Sequence, residues 1–364
     1  MRFRRSMAVV IALVSGLCGC SQPDPLPVPE PAGQVWPGAF FEVPQEIKGF
    51  GDLTPVAMLD AREVLLRSRT AMLAYDRRSR RHRILAEPPA DGLFGEVLSA
   101  FVGDREVVLM EGDAEISALW SIPRAGGPAR LLAASIPEPG TVAGMVADGG
   151  KVVWWKYDGT SREVPLSGGE PRDSHHQELD YISRWPWGHR GEDGVVNLVT
   201  GEKRDTQAVG YGHDVRCGPE WCVSAGEDSR YESQEVVVQR LDGSDRRRVP
   251  GKIMHGGLFV GERYGVFDAP EAARDQSMID PGGIWGDAVV VYDRCTGKTG
   301  LLDAPEPSEP SEPEVQDARS RRYPNVIRNG GDSSGILMYW KAPGDRYTVF
   351  ALPDPSVGKE AACT

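Results

Sequence analysis

The chain is poor in groups that do chemistry. Its 364 residues hold 6 His and 6 Cys. It contains no phosphate-binding P-loop, no Gly-x-Gly-x-x-Gly dinucleotide turn and no paired-carboxylate motif. Basic residues are in deficit: 41 Lys and Arg face 53 Asp and Glu, a net charge of −12. A nucleic-acid binder needs a basic balance or stripe, so that class is disfavoured. Lysine is scarce, 8 against 33 Arg, the codon bias of a GC-rich genome. Only one apolar run occurs, at the N-terminus, which excludes a polytopic membrane protein. What is abundant is punctuation: 43 Gly and 29 Pro, about a fifth of the chain, below the share typical of disordered low-complexity chains. Apolar residues make up 40%, and 9 Trp are among them, enough for a large core. Many turns between short Val- and Trp-rich runs predict an all-β chain.

The N-terminus reads as an address. Met1 to Arg5 is basic, and Met7 to Leu17 is an 11-residue apolar stretch, too short to span a bilayer but suited to a signal peptide. It ends in Leu17-Cys18-Gly19-Cys20-Ser21. This resembles the bacterial lipobox, in which an aliphatic residue and two small residues precede a lipidated Cys. The register selects Cys20, because Cys18 has Ser15 where the aliphatic residue belongs. The resemblance implies a thioether-linked lipid on Cys20 as the first mature residue. An ordinary secreted protein with cysteines in its signal is the alternative. Gln22 to Pro31 alternates proline and favours an extended, semi-rigid polyproline spacer. The expected layout is a signal peptide over 1–19, a lipidated tether over 20–34 and one domain over 35–364.

The body repeats. An apolar strand, a tight Gly- or Asp-bearing turn and a second strand recur with turns at residues 76, 123, 158, 200, 242, 293 and 343. Intervals run from 35 to 51 residues. A period of 40–50 residues with several strands per copy is the signature of a β-propeller, because one such unit cannot bury its own faces. Seven copies predict seven blades, with six the alternative, since residues 185–206 divide poorly into four strands. Tyr292-Asp293-Arg294-Cys295-Thr296-Gly297 is the clearest hairpin. In this the chain resembles the propeller superfamily of TolB-like, WD40-like and Kelch-like repeats over about residues 50–353. The resemblance implies a closed ring with loops on two faces and a central channel, used mostly to bind proteins or glycans and sometimes for catalysis. Residues 32–44, with Val35, Trp36, Phe40, Phe41 and Val43, are suited to closing the ring on the last blade. The acidic, Pro-rich 304–318 cannot pack a core and reads as a loop between blades six and seven.

Once Cys18 and Cys20 are set aside, four cysteines remain, suited to an oxidising compartment. Cys217 and Cys222 flank a tight turn, within disulfide reach in a hairpin. The rival reading is half of a metal site. Cys295 and Cys363 pair by elimination, or stay free thiols. The densest aromatic loop is Tyr181, Trp185, Trp187, His189 and Arg190, which reads either as a ligand platform or as packing between blades. His175, His176, Glu178, Asp180, His189, His213, Asp214 and His255 fit no metal-site spacing. Gly331-Asp332-Ser333-Ser334-Gly335 resembles a serine nucleophile motif, but no His follows residue 255 to serve it in the hydrolase order. Arg77 to Arg83 reads as a solvated hairpin tip. These residues predict no catalytic set, no metal and no cofactor. They point to a monomeric, lipid-anchored binding or scaffolding module. Its place would be the outer face of the cytoplasmic membrane of a Gram-positive cell, and its partner an envelope protein or glycan. A propeller enzyme and a purely structural envelope protein are the alternatives.

Overall fold

The computed structural model describes residues 26–88, 95–112, 116–137, 142–156, 158–174, 179–190, 194–210, 215–226, 235–253, 263–269, 288–303, 325–327, 336–342, 344–352 and 363. Cys20 and the signal, the 304–318 loop, the 331–335 motif and His175, His176, His213 and His255 lie outside these residues.

Seven four-stranded sheets form the blades of a propeller. Blade one comprises Thr54–Met58, Glu63–Arg67, Met72–Asp76 and Arg81–Ala86 in simple antiparallel order. Blade two comprises Glu96–Val102, Glu106–Gly112, Ile116–Pro123 and Arg130–Pro137. Blade three comprises Val142–Asp148, Lys151–Lys156, Ser161–Pro165 and Arg172–Ser174. Blade four divides after all, into Tyr181–Arg184, Trp187–His189, Val195–Asn197 and Lys203–Arg204. Blade five comprises Arg216–Cys217, Trp221–Ala225, Glu235–Arg240 and Arg247–Pro250.

The last two blades borrow from the N-terminus. Blade seven (Asn325–Ile327, Ile336–Ala342, Arg346–Leu352) takes Phe40–Pro44 as its outer strand, antiparallel and in register from Phe40 opposite Phe350 to Pro44 opposite Arg346. That is the closure expected of residues 32–44. Blade six (Tyr264–Asp268, Ala288–Asp293, Lys298–Asp303) takes Glu30–Pro31, in parallel, against Gly300 and Leu301. The segment read as tether therefore pairs with the ring five residues before the expected domain start at residue 35. A short helix, Ala32–Val35, links the two borrowed strands.

The reason for near-continuous apolar strands is that each blade has a neighbour on both faces. Successive side chains point to opposite faces of a strand. In Val107-Val108-Leu109-Met110, Val107 and Leu109 pack with blade one, while Val108 and Met110 pack with blade three. In blade three, Val152 and Trp154 face blade two, and Val153 and Trp155 face blade four. Each such large side chain contributes about 1.5–3 kcal/mol when fully buried.

Turns then staple blade to blade. The Gly127 N–H donates to the Leu85 carbonyl of the preceding blade at 2.9 Å, and the Gly169 N–H does the same to Leu132 at 3.1 Å. Both glycines adopt positive φ, +150° and +142°, which the close backbone approach requires. Hairpin turns are capped by their own Asp and Asn side chains. Asp76 Oδ1 accepts from the Arg78 and Ser79 N–H groups, and Asn197 Oδ1 from Val199 and Thr200. The repeat intervals are uneven because the Asp158 turn joins the second and third strands of its blade, whereas those at 76 and 123 join the third and fourth.

Both cysteine pairs form. Cys217 faces Cys222 across its hairpin, Cα atoms 4.0 Å apart, and Cys295 bonds Cys363 across a separation of 68 residues. No helix among the described residues is long and apolar enough to cross a membrane.

Candidate functional site at the upper face

An antiparallel meander sends alternate connections to opposite ends of the blade. The end that carries the link from second to third strand is called here the upper face. Buried polar side chains concentrate there. In blades one to five, seven of the nine such residues among those described lie toward this end: Ser68, Ser99, Glu111, Ser117, Ser161, His189 and Ser224. Buried polar groups are normally hydrogen-bonded, so those that are not need an explanation. Ser99 Oγ, Glu111 Oε1, Ser117 Oγ and Ser224 Oγ have no hydrogen-bond partner among the described residues, and neither does Arg67 Nε at the end of its strand or Trp221 Nε1 at the opposite end of blade five.

Two groups of side chains stand out. Between blades one and two, Glu111 is only 7% exposed. It closes an apolar strand on the same side as Leu109, facing blade one, where Arg67 ends the second strand. Burial pushes the Glu111 carboxyl up to about 7, opposed by the Gly95 N–H that donates to it and by the Arg67 charge. A Cβ on Gly95 would press on the same side chain, standing 3.3 Å from Glu111 Cγ and 3.6 Å from its Oε1.

Between blades four and five, Tyr181 and His189 are cross-strand partners whose rings stack at 4.8 Å and 12°. Tyr181 Oη accepts from the Cys217 N–H at 2.8 Å, tying blade four to blade five, and the Arg216 guanidinium lies 5.8 Å from its ring. Burial raises the Tyr181 hydroxyl pKa, so it stays protonated. His189 is 6% exposed, and its Nδ1 lies 3.5 Å from Asp180 Oδ2. Burial drives its pKa below the ordinary imidazole value, although Asp180 pulls it back, so His189 is neutral at pH 7.

The aromatic loop, read either as a ligand platform or as packing between blades, is divided between the two ends of blade four. Tyr181, His189 and Arg190 are at the upper ends of their strands. Trp185 and Trp187 are at the lower end, and they are 7% and 8% exposed. Trp185 packs with Trp155 toward blade three, and its Nε1 donates to Asp148 Oδ2 at 3.0 Å. Trp187 packs with Val195 and the Cys217–Cys222 bridge, under the Arg204 guanidinium at 4.4 Å. The two indoles fill the wedges on either side of a blade whose strands are only two to four residues long. Their faces are therefore occupied by packing.

Elsewhere, Arg83 of the basic turn pairs bidentately with Glu63, and Arg77 lies over Phe41 at 5.0 Å. No cluster of three or more His, Cys, Asp or Glu placed to hold a metal occurs among the described residues. Sequence reasoning missed Arg67, Ser99 and Glu111. The one signal for Glu111 was a carboxylate ending the apolar run Val107 to Met110.

No protein-family model matches the chain, and no curated protein does. Solved structures match the chain only at very low identity and with TM-scores below 0.5. An oligogalacturonate lyase from Vibrio parahaemolyticus is 12% identical, covering 86% of this chain and 97% of its own, with a TM-score of 0.44. An oligogalacturonate lyase in complex with manganese is 11% identical, covering 83% and 77%, with a TM-score of 0.35. YCF48 bound to D1 peptide is 9% identical, covering 86% and 95%, with a TM-score of 0.42. By its own sheet topology the chain is a seven-bladed β-propeller with two disulfides.

Proposed function

We propose that the protein is an extracytoplasmic binding module, held to the membrane through lipid on Cys20, whose upper face engages a component of the cell envelope. One observation carries the binding role: most of the buried polar atoms without partners among the described residues, Trp221 Nε1 excepted, lie toward a single face. Folding alone selects against such atoms, since each costs about 1–3 kcal/mol, whereas a bound partner satisfies them. The lipobox residues Leu17 to Cys20 support the anchor. Two disulfides accord with an oxidising compartment.

The test compares faces. Purified wild-type protein and variants are measured for retention on envelope fragments. Arg190→Ala and Arg216→Ala at the upper face should reduce retention at least tenfold, while Arg78→Ala in the blade-one hairpin tip leaves it unchanged. Equal loss at both faces, or none at either, defeats the assignment. Separately, Cys20→Ala should release the protein from membranes. A variant that stays membrane-bound refutes the anchor without touching the binding role.

A catalytic reading has one observation in its favour, a carboxyl near neutrality at Glu111, suited to proton transfer. Turnover of an envelope polymer that Glu111→Gln abolishes would establish it.

A further inference from the structure

A lipid on Cys20 limits how far the ring stands from the membrane, but not which face turns toward it. Residues 76–83 hold five Arg and one Asp in a chain of net charge −12. They form the link from third to fourth strand of blade one and the start of the fourth strand, at the lower face. The carboxylate is engaged within the blade: Asp76 pairs with Arg62 at 2.5 Å and accepts from the Arg78 and Ser79 N–H groups. Arg83 is matched by Glu63. Arg78, Arg80 and Arg81 are exposed and have no ion pair among the described residues. Arg80 holds its charge against the preference of the turn. The same five-residue turn occurs in blades four and six, where the Asn197 and Asp293 carbonyls accept from the N–H four residues on. There that residue is glycine, Gly201 at φ +75° and Gly297 at φ +71°. In blade one the Asp76 carbonyl accepts from Arg80, at φ +57°. A side chain in this left-handed conformation costs energy that glycine avoids.

The chain from Cys20 arrives at the same end. Glu30 and Pro31 run parallel to Gly300 and Leu301, near the start of Lys298–Asp303, so Glu30 is entered from the end where that strand begins. That end is the lower one. Arg294, in the turn before the strand, lies 4.5 Å from the Trp221 ring, and its carbonyl accepts from Arg247 Nη1 at 3.1 Å. Trp221 and Arg247 open the second and fourth strands of blade five, both of which start at the lower end. Cys20 is ten residues before Glu30, a reach of at most about 35 Å. We propose, on the reading that Cys20 carries the lipid, that Arg78, Arg80 and Arg81 dock on the anionic phospholipid surface of the anchoring bilayer. The lower face then lies on the membrane and the upper face points away from it, open to envelope components. Guanidinium groups pair with phosphate oxygens, and at physiological salt the attraction acts within about 8 Å. The ring must therefore sit down on the bilayer, which an anchor by itself does not require. An acyl anchor with a basic patch is a two-signal attachment. The bilayer is favoured over a soluble polyanion because the anchor brings it to this face.

Full-length protein is mixed with excess vesicles of phosphatidylcholine, alone or with a third phosphatidylglycerol, and trypsin cleavage after Arg78 is timed at low salt. Cleavage should run at least tenfold slower on the anionic vesicles, and molar salt should remove the difference. Cleavage after Arg69, exposed in the upper link of the same blade, should run at one rate on both. The double variant Arg80→Gly and Arg81→Gln keeps the Arg78 site and should bring the two rates within threefold. Its turn gains the glycine found in blades four and six, so a melting temperature no lower than that of wild type separates lost charge from lost folding. Arg78→Ala alone leaves Arg80 and Arg81 in place and stays a control for the upper face.

Four results overturn the proposal: equal cleavage at the tip on both vesicles, equal slowing at Arg69 and at the tip, a double variant protected like wild type, or stronger protection by soluble polyphosphate than by vesicles. The last would assign the tip to an anionic polymer. If the tip is unprotected while Cys20→Ala still releases the protein from membranes, the docking falls and the anchor stands. If Cys20→Ala stays membrane-bound, the anchor falls, and the vesicle rates still decide the docking.

Discussion

A buried ionisable side chain ties stability to pH, and Glu111 sets the direction. Its carboxyl titrates near 7 in the folded protein and in the ordinary carboxylate range when unfolded. From about pH 4.5 upward the unfolded chain gives up the proton first, so the folded state loses stability until pH passes 7. Arg67 is the charge facing it and limits the loss. Melting temperatures measured from pH 5 to 8 should fall more steeply for wild type than for Glu111→Leu; parallel curves would place the titration elsewhere. Tyr181 makes the complementary case. Its hydroxyl is the acceptor for the buried N–H of Cys217. Tyr181→Phe removes that acceptor at nearly constant volume and should cost about 1–3 kcal/mol, read from the urea midpoint. Neither residue announces itself in sequence. Tyr181 shows as an aromatic beside a Trp loop, and nothing local states that its partner is 36 residues away in the next blade.

At the scale of elements, the sequence pattern says more. The Asp- and Gly-bearing hairpins, the closing strand at Phe40–Pro44 and the Cys217–Cys222 pair follow from local rules of turn chemistry and alternation, and they stand in the structure. Strand Glu30–Pro31 does not follow from them. Its Pro-Glu-Pro composition signals a spacer, and proline lacks the N–H that a sheet interior needs. It can join only as an outer strand, where one edge is free, and that is its place beside Gly300 and Leu301. The registration depends on Trp36, whose ring covers Gly300 and lies 6.1 Å from Phe350. A Cβ on Gly300 would stand 2.4 Å from the Trp36 ring and 3.0 Å from the Ala32 Cα. Gly300→Ala should therefore prise residues 30–36 from blade six. Limited proteolysis should cut near Trp36 at least tenfold faster in this variant; an unchanged rate would show that the segment is held from elsewhere.

For the whole molecule, the question is what keeps a ring of seven wedges closed. Adjacent blades share apolar clusters all round, but the last joint is special because the chain must return to it. Two devices act there. The N-terminal residues 30–44 thread through blades six and seven, and Cys295–Cys363 pins the C-terminal end to the blade-six hairpin. Both chain ends thus converge on blade six, so the ring closes through two independent crossings. Their contributions differ in kind. A disulfide restricts the unfolded chain, and the restriction grows with the loop it closes. On that account the pair separated by 68 residues contributes about 4 kcal/mol, and the pair separated by 5 about 2 kcal/mol. Replacing Cys295 and Cys363 by Ser should therefore lower stability by roughly twice as much as replacing Cys217 and Cys222. The hairpin pair is also packed against Trp187, which adds a packing loss to its smaller entropic one. If denaturant unfolding ranks the hairpin pair as the costlier, packing around Trp187 outweighs loop closure. The ring would then be held at blade six by the threaded N-terminal strands, and truncation at residue 45 should unfold it outright.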